Sequence, residues 1–333
     1  VDNSARIWVG FYSRGVQLLQ DNAIVKQIRY DQTDSHSLSS NLIKRIFVAD
    51  NGDVWLGTER GGINHFRKNS EQLYHLKHSV LEKSPLSGND VTAIAADKYL
   101  RGWIASNIDG ISVYNPVTQY NEVIDKALAG LKIAKLHIDE QYTWVLDEQG
   151  LTKIDIDQLS VIATYTTENS ELPAGKLVDW LPIDDEHALI THREDGISLF
   201  SLADLSFTQF TTNNSSLMTN QFSQMIKINN INWISSNVGL HTFDPFTRAF
   251  THFLFTPQQN ITQVNHLTTN RQGHIVLSTN NGMHIFDPLS KQFVLTQFPH
   301  KIMMMNIQAT LVSDSGTYWS TLKNGLIEYR DNM

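Results

Sequence analysis

Asp50-Asn51-Gly52-Asp53-Val54-Trp55-Leu56-Gly57-Thr58-Glu59-Arg60-Gly61-Gly62-Ile63-Asn64-His65-Phe66 is the clearest copy of a unit that recurs along the whole chain. It returns as Gly102-Trp103-Ile104-Ala105-Ser106 followed by Gly110-Ile111-Ser112-Val113-Tyr114. Further copies are anchored at Trp8, Trp144, Leu189, Trp233, Val276 and Trp319, each followed by a Gly-aliphatic pair. The eight anchors at 8, 55, 103, 144, 189, 233, 276 and 319 lie 41 to 48 residues apart. A period of this length fits four short strands and their turns, the size of one propeller blade.

The strand reading agrees. In the second copy, Lys44 to Val48, Val54 to Thr58, Ile63 to Phe66 and Leu73 to Leu76 are separated by turn residues. The runs do not alternate between apolar and polar, as expected where a sheet is buried on both faces. Gly and Asn interrupt every window too often for a helical solenoid. The expected fold is all-β: one β-propeller over residues 1–333, with seven or eight four-stranded blades. The first copy opens at the turn before its second strand and the last stops after its third. That gives thirty strands, against 28 for seven blades and 32 for eight, so a piece of a longer propeller array is expected.

Each recurrent residue has a structural use. The Asp or Asn before the anchor suits a tight turn in which its side chain bonds its own backbone. Small residues two after the anchor (Gly10, Gly57, Ala105, Ser235, Ser278) suit close contact with a bulky neighbour. The Gly before the third strand suits a positive φ. Asn41 and Asn89, fourteen residues before their anchors, and Asn220, thirteen before, suit a left-handed turn into the innermost strand.

The string Ser37-Leu38-Ser39-Ser40-Asn41-Leu42-Ile43, with Asp50, Gly52, Trp55-Leu56-Gly57-Thr58, Gly61-Gly62-Ile63 and Phe66, resembles the two-component regulator propeller repeat. Pro85-Leu86-Ser87-Gly88-Asn89-Asp90-Val91 to Asn115-Pro116 is a second good copy, and the endings Phe243-Asp244-Pro245 and Phe286-Asp287-Pro288 are similar to that repeat. The fourth and fifth units depart from it, with Leu146 and Thr191 at the small position and Leu189 for Trp. The resemblance implies the periplasmic sensor part of a bacterial transmembrane receptor, whose output is a histidine kinase, often a hybrid, or a diguanylate cyclase. It further implies a possible homodimer in the full receptor.

Composition narrows the chemistry. The 333 residues carry 26 Lys plus Arg against 34 Asp plus Glu, a net charge of −8. An acidic chain lacks the basic face that nucleic acid demands. Zero Cys excludes disulfides, Cys-ligated metals and thiol nucleophiles. No apolar run approaches the length of a membrane span, so the chain itself is not expected to insert. No phosphate loop, G-x-S-x-G or H-E-x-x-H motif occurs. His75/His78 and His187/His192 are three and five apart, which on strands places the partners on opposite faces, so no metal is expected. His241 and His284 share a repeat position and suggest a common packing role. No cofactor is expected either.

The remaining reading is recognition. Variable loops on a rigid frame are where binding concentrates. The second-to-third loops are mixed in sign and rich in amide and guanidinium donors, which suits a small polar ligand such as an oligosaccharide. The expected ligand-binding residues are Asn41, Arg60, Asn89, Asp109, Arg193, Asn237 and Asn281, with Trp180 and His192 from the divergent units. Trp180 is either a stacking platform or a packing substitute for the missing anchor Trp. Two other readings stay open: a propeller hydrolase or lyase acting on glycans, using carboxylates such as Asp109, Glu148, Glu194 or Asp195, and a protein-interaction platform. A sensor without catalysis of its own is the expected function.

Overall fold

A computed structural model describes residues 1–21, 23–79, 85–124, 128–294, 298, 302–313, 316–322 and 325–330. Among the described residues thirty strands form eight antiparallel sheets: six of four strands, flanked by three-stranded sheets at Ile7–Ile28 and Ile307–Arg330. Eight propeller blades result, each with its strands in sequence order across the sheet. Two single 3₁₀ turns, Pro257–Gln259 and Ile302–Met304, lie whole within the described residues. The chain divides into two compact units, Val1–Tyr165 and Thr166–Met333, each holding four blades.

Within each unit the apolar core lies between successive blades. Trp8, Val16 and Leu18 of the first blade meet Ile43, Val54, Leu56 and Phe66 of the second in one cluster. Burial from both sides explains the lost alternation: every residue of Val54–Thr58, Gly102–Ser106 and Ile275–Thr279 is buried. The small residues work as read from the sequence. A Cβ on Gly57 would stand 2.7 Å from Val91 Cγ1, and one on Gly10 would stand 2.5 Å from Ile43 Cγ2. Both contacts are with the first strand of the following blade.

The turn Asp does more than hold its own backbone. Asp97 Oδ1 accepts from the Tyr99 and Arg101 backbone N–H groups. Its Oδ2 accepts from the Arg101 guanidinium at 2.7 Å and from the Trp103 indole at 2.9 Å. Asp2 repeats the arrangement with Arg6 and Trp8, and Asp139 accepts from the Trp144 indole. One carboxylate thus fixes the turn and the anchor ring together.

The Gly before the third strand is required twice over at position 62. Its φ is +71°, and a Cβ there would lie 2.2 Å from the Leu76 carbonyl oxygen. Its N–H donates to the carbonyl of Asn89, across the linker to the next blade. Gly15 with Asn41 and Gly196 with Asn220 form the same bond.

Candidate functional site

The first strand of every four-stranded blade, and of the last blade, is bulged at one place. Register breaks fall between Ile43/Arg45, Val91/Ala93, Ile133/Lys135, Leu177/Asp179, Phe222/Met225, Val264/His266 and Ile307/Ala309. A bulge re-aims the extra side chain out of the ladder, and such features concentrate beside functional sites. In the first unit the extra residues are Lys44, Thr92 and Ala134. Lys44 is paired with Asp90, which also accepts from Asn107 Nδ2. In the second unit they are Val178, Ser223 with Gln224, Asn265 and Gln308.

Those of the second unit line one cavity of about 450 Å³. Gln221, Gln263 and Asn237 add amides, Arg193 and Glu194 stand on the loop after His187–His192, and Phe222 and Val264 close the apolar part of the wall. Gln224 and Asn265 are fixed by the neighbouring blade, and Gln308, Asn237 and Gln221 within their own. Gln224 Oε1 accepts from the Leu267 N–H at 2.9 Å. Asn265 Nδ2 donates to the Ile307 carbonyl at 2.8 Å and to Asn306 Oδ1 at 2.9 Å, and Gln308 Nε2 donates to the same Asn306 oxygen. Asn237 accepts from the Thr219 hydroxyl and donates to Gln221 Oε1. Each amide retains a further donor or acceptor, because these bonds use only part of its capacity. The wall therefore offers many neutral groups of both polarities in fixed positions. Paired donors and acceptors of this kind match the vicinal hydroxyls of a sugar.

Of the residues expected from sequence, Arg193 and Asn237 line this cavity. Asn41 and Asn89 do linker work. Asn89 Oδ1 accepts from the His78 N–H at 2.7 Å and its Nδ2 donates to the His78 carbonyl, while Asn41 Oδ1 accepts from the Tyr30 N–H. Arg60 is 83% exposed, with Glu59 the nearest carboxylate at 3.9 Å. Asp109 is exposed and packs on Gly88, where a Cβ would meet its Oδ2 at 2.1 Å. Asn281 Nδ2 donates to the Gln259 carbonyl at 2.7 Å. His192 is fully buried and hydrogen-bonded through Nε2 to the Ser198 hydroxyl at 2.8 Å, and burial pushes its pKa down to about 4. Trp180 is 3% exposed and lies 5.9 Å from the Phe200 ring centre, so it offers no open face for stacking a ligand.

The histidines of the sequence pairs are engaged separately: His75 with the Ser37 carbonyl, His78 with that of Leu86, His187 with Asp184. His241 and His284 are buried, as a packing role implies, at 0% and 7% exposure. His241 bridges the Ser236 hydroxyl and His252, and His284 is hydrogen-bonded to the Asn281 carbonyl. The first unit holds a different recess of about 420 Å³ between Ala23–Ile28 and Gln72–Leu76. Two of its carboxylates are engaged locally, Glu71 with Arg6 and Asp31 with Thr33.

The frame and the cavity define a β-propeller that presents an amide-lined recess on the first strands of one unit. No family model matches the chain. Histidine kinase P4 of Formosa agariphila is 23% identical over 168 residues, which is 48% of this chain and 12% of that kinase. The extracellular domain of a hybrid two component system of B. thetaiotaomicron superposes with a TM-score of 0.65 at 20% identity, covering 87% of this chain and 40% of that one. A second such domain from B. thetaiotaomicron gives 0.62 at 15% identity, over 100% and 52%. The chain thus spans about half or less of the length of these relatives. These two solved structures are extracellular domains of two-component systems, and a histidine kinase is among the sequence relatives, in line with the repeat resemblance.

Proposed function

We propose that this chain is the extracytoplasmic, periplasmic ligand-sensing module of a bacterial transmembrane signalling receptor, and that it recognises a neutral oligosaccharide without transforming it. The observation that carries the reading is the recess built by the first-strand bulges of the second unit, with Gln221, Gln224, Gln263, Asn265 and Gln308 in its wall. Hydroxyl-rich ligands are held by fixed planar amides and released without covalent chemistry. Recognition is favoured over hydrolysis by the lining itself: among the described residues of the recess Glu194 is the single carboxylate, whereas glycoside hydrolysis uses a pair.

Signalling needs differential affinity for two states of the receptor. Two of the amides are bonded from blade to blade, Gln224 to Leu267 and Asn265 to Ile307, so a ligand gripping them acts on the packing of successive blades. The test is a glycan array followed by calorimetry on the hits, comparing the chain with Gln263→Ala. Binding weakened by the substitution supports the reading. Turnover of a bound glycan would replace it with an enzyme, and stable capture of a protein with no glycan affinity would replace it with an interaction platform.

A further inference from the structure

A second recess of about 390 Å³ in the same unit shares Asn237 with the amide-lined cavity. Its wall is of the opposite character: Met218, Val238, Leu254, Phe255, Pro257 and Ile261. Met218 and Leu254 are 55% and 44% exposed, so solvent-facing apolar surface is gathered here beside the polar recess.

The recess is preformed by an atypical linker. Where the second, third and sixth blades carry Asn41, Asn89 and Asn220 in the linker, this one has Thr262-Gln263, and Asn280 Oδ1 takes both backbone N–H groups instead. Upstream, Pro257–Gln259 forms a 3₁₀ turn closed by Gln259 Oε1 on the Thr256 N–H, followed by left-handed Asn260 at φ 45°. Asn281 Nδ2 pins this turn through the Gln259 carbonyl. On the other side, the Ser236 hydroxyl accepts from the Val238 and Gly239 N–H groups, and Phe255 N donates to the Val238 carbonyl. Both walls are therefore tied to each other. The linker thus departs from the Asn-bearing ones at the place where the two recesses meet, and breaks in local consistency mark functional sites.

We infer that the two recesses form one divided site, which takes a neutral glycan carrying an apolar aryl or alkyl substituent. The sugar lies along Gln221, Gln263 and Gln308, Asn237 meets the junction, and the substituent fills the space between Met218, Val238, Leu254 and Ile261. Phe255 is held against Phe293 at 5.5 Å and supplies a fixed aromatic wall. This rests on the reading of the amide cavity as the glycan site.

The experiment titrates the full chain with neutral oligosaccharides and with their para-nitrophenyl glycosides. Burial of one aryl ring predicts that the glycosides bind roughly tenfold tighter than the parent sugars. Met218→Asp and Leu254→Asp, both at exposed positions and checked for an unchanged melting temperature, remove that increment and leave the parent affinity. Gln263→Ala weakens parent and glycoside together. Parents bound through the amides with no aryl increment would overturn the divided site alone. Glycosides bound with no response to Gln263→Ala, or no binding of either class, would overturn it together with the glycan reading.

Discussion

The carbonyl oxygen of Asn89 accepts the N–H of Gly62 at 2.9 Å, while the Asn89 side chain closes on both backbone groups of His78. One residue thereby ties the second-to-third turn of one blade, the end of its fourth strand and the start of the next blade. The repeat-phase Asn is a joint of the frame. Asn89→Ala keeps the carbonyl and loses the two side-chain bonds, so a loss of roughly 1–2 kcal/mol is expected in chemical denaturation. Ligand affinity should be unchanged. A ligand that weakens with this substitution at equal stability would return Asn89 to the binding surface.

Asp97 serves three partners with a side chain that is fully buried. Asp97→Ala strands the Trp103 indole and leaves the Arg101 guanidinium with the Ile156 carbonyl but no carboxylate, and a cost of about 3 kcal/mol follows from leaving a largely buried cation without its counter-charge. Asp97→Asn keeps an acceptor for the indole and should cost less. Equal melting curves for the two variants would show that the charge contributes and the indole bond does not.

Trp180→Ala separates the two roles that the sequence leaves open for this ring. With 3% exposure and packing on Phe200, the indole belongs to the core of its blade. Truncation of a buried Trp costs about 3–5 kcal/mol. The expected result is a melting temperature lowered by several degrees with glycan binding intact. A stable variant that no longer binds would contradict the packing role.

Acid should weaken the fold through its buried histidines. Burial pushes His192 down to about 4 and His241 to about 3, and lowers His65, His266 and His284 as well. In the unfolded chain these groups titrate near 6.5, so the full stabilisation is present above that pH. Between about pH 6.5 and 4 the unfolded state binds more protons, and stability falls as pH falls. Asp147, whose carboxyl is raised by burial, works in the opposite sense. Melting temperatures across this window should decline steadily, and His192→Gln should flatten the curve by roughly 3 kcal/mol at its acid end if the variant keeps the Ser198 bond. A melting temperature constant from pH 6.5 to 4 would contradict the burial of neutral imidazoles.

The frame was legible because its signals repeat. The spacing of Trp8, Trp55, Trp103, Trp144, Trp233 and Trp319, with small residues after four of them, leads to the thirty strands, including the short sheets at both ends. The site was legible only in part. Arg193 and Asn237 stand in variable second-to-third loops, where recognition was expected. Asn41 and Asn89 were attractive as polar, periodic residues, yet periodicity itself marks a role in the frame, which both fill between blades. The amides of the first strands were missed because a one-residue bulge has no compositional signature. Without their bulges Asn265 and Gln308 would simply read as strand residues. One cue was present: Thr262-Gln263 replaces the linker Asn in the seventh blade, followed by Asn265 and preceded by the irregular run Phe255 to Asn260.

The central claim is that the amide-lined recess of the second unit captures a neutral sugar. Calorimetric titration of the first glycan found on an array, into the chain and into the double variant Gln263→Ala/Gln308→Ala, tests it most directly. Both side chains are exposed, and each loss of a sugar hydrogen bond should cost roughly 1 kcal/mol. The predicted result is saturable one-site binding by the parent chain, weakened at least about tenfold in the double variant with the melting temperature preserved. An identical affinity in the double variant, or no binding across broad panels of neutral glycans, would contradict the account.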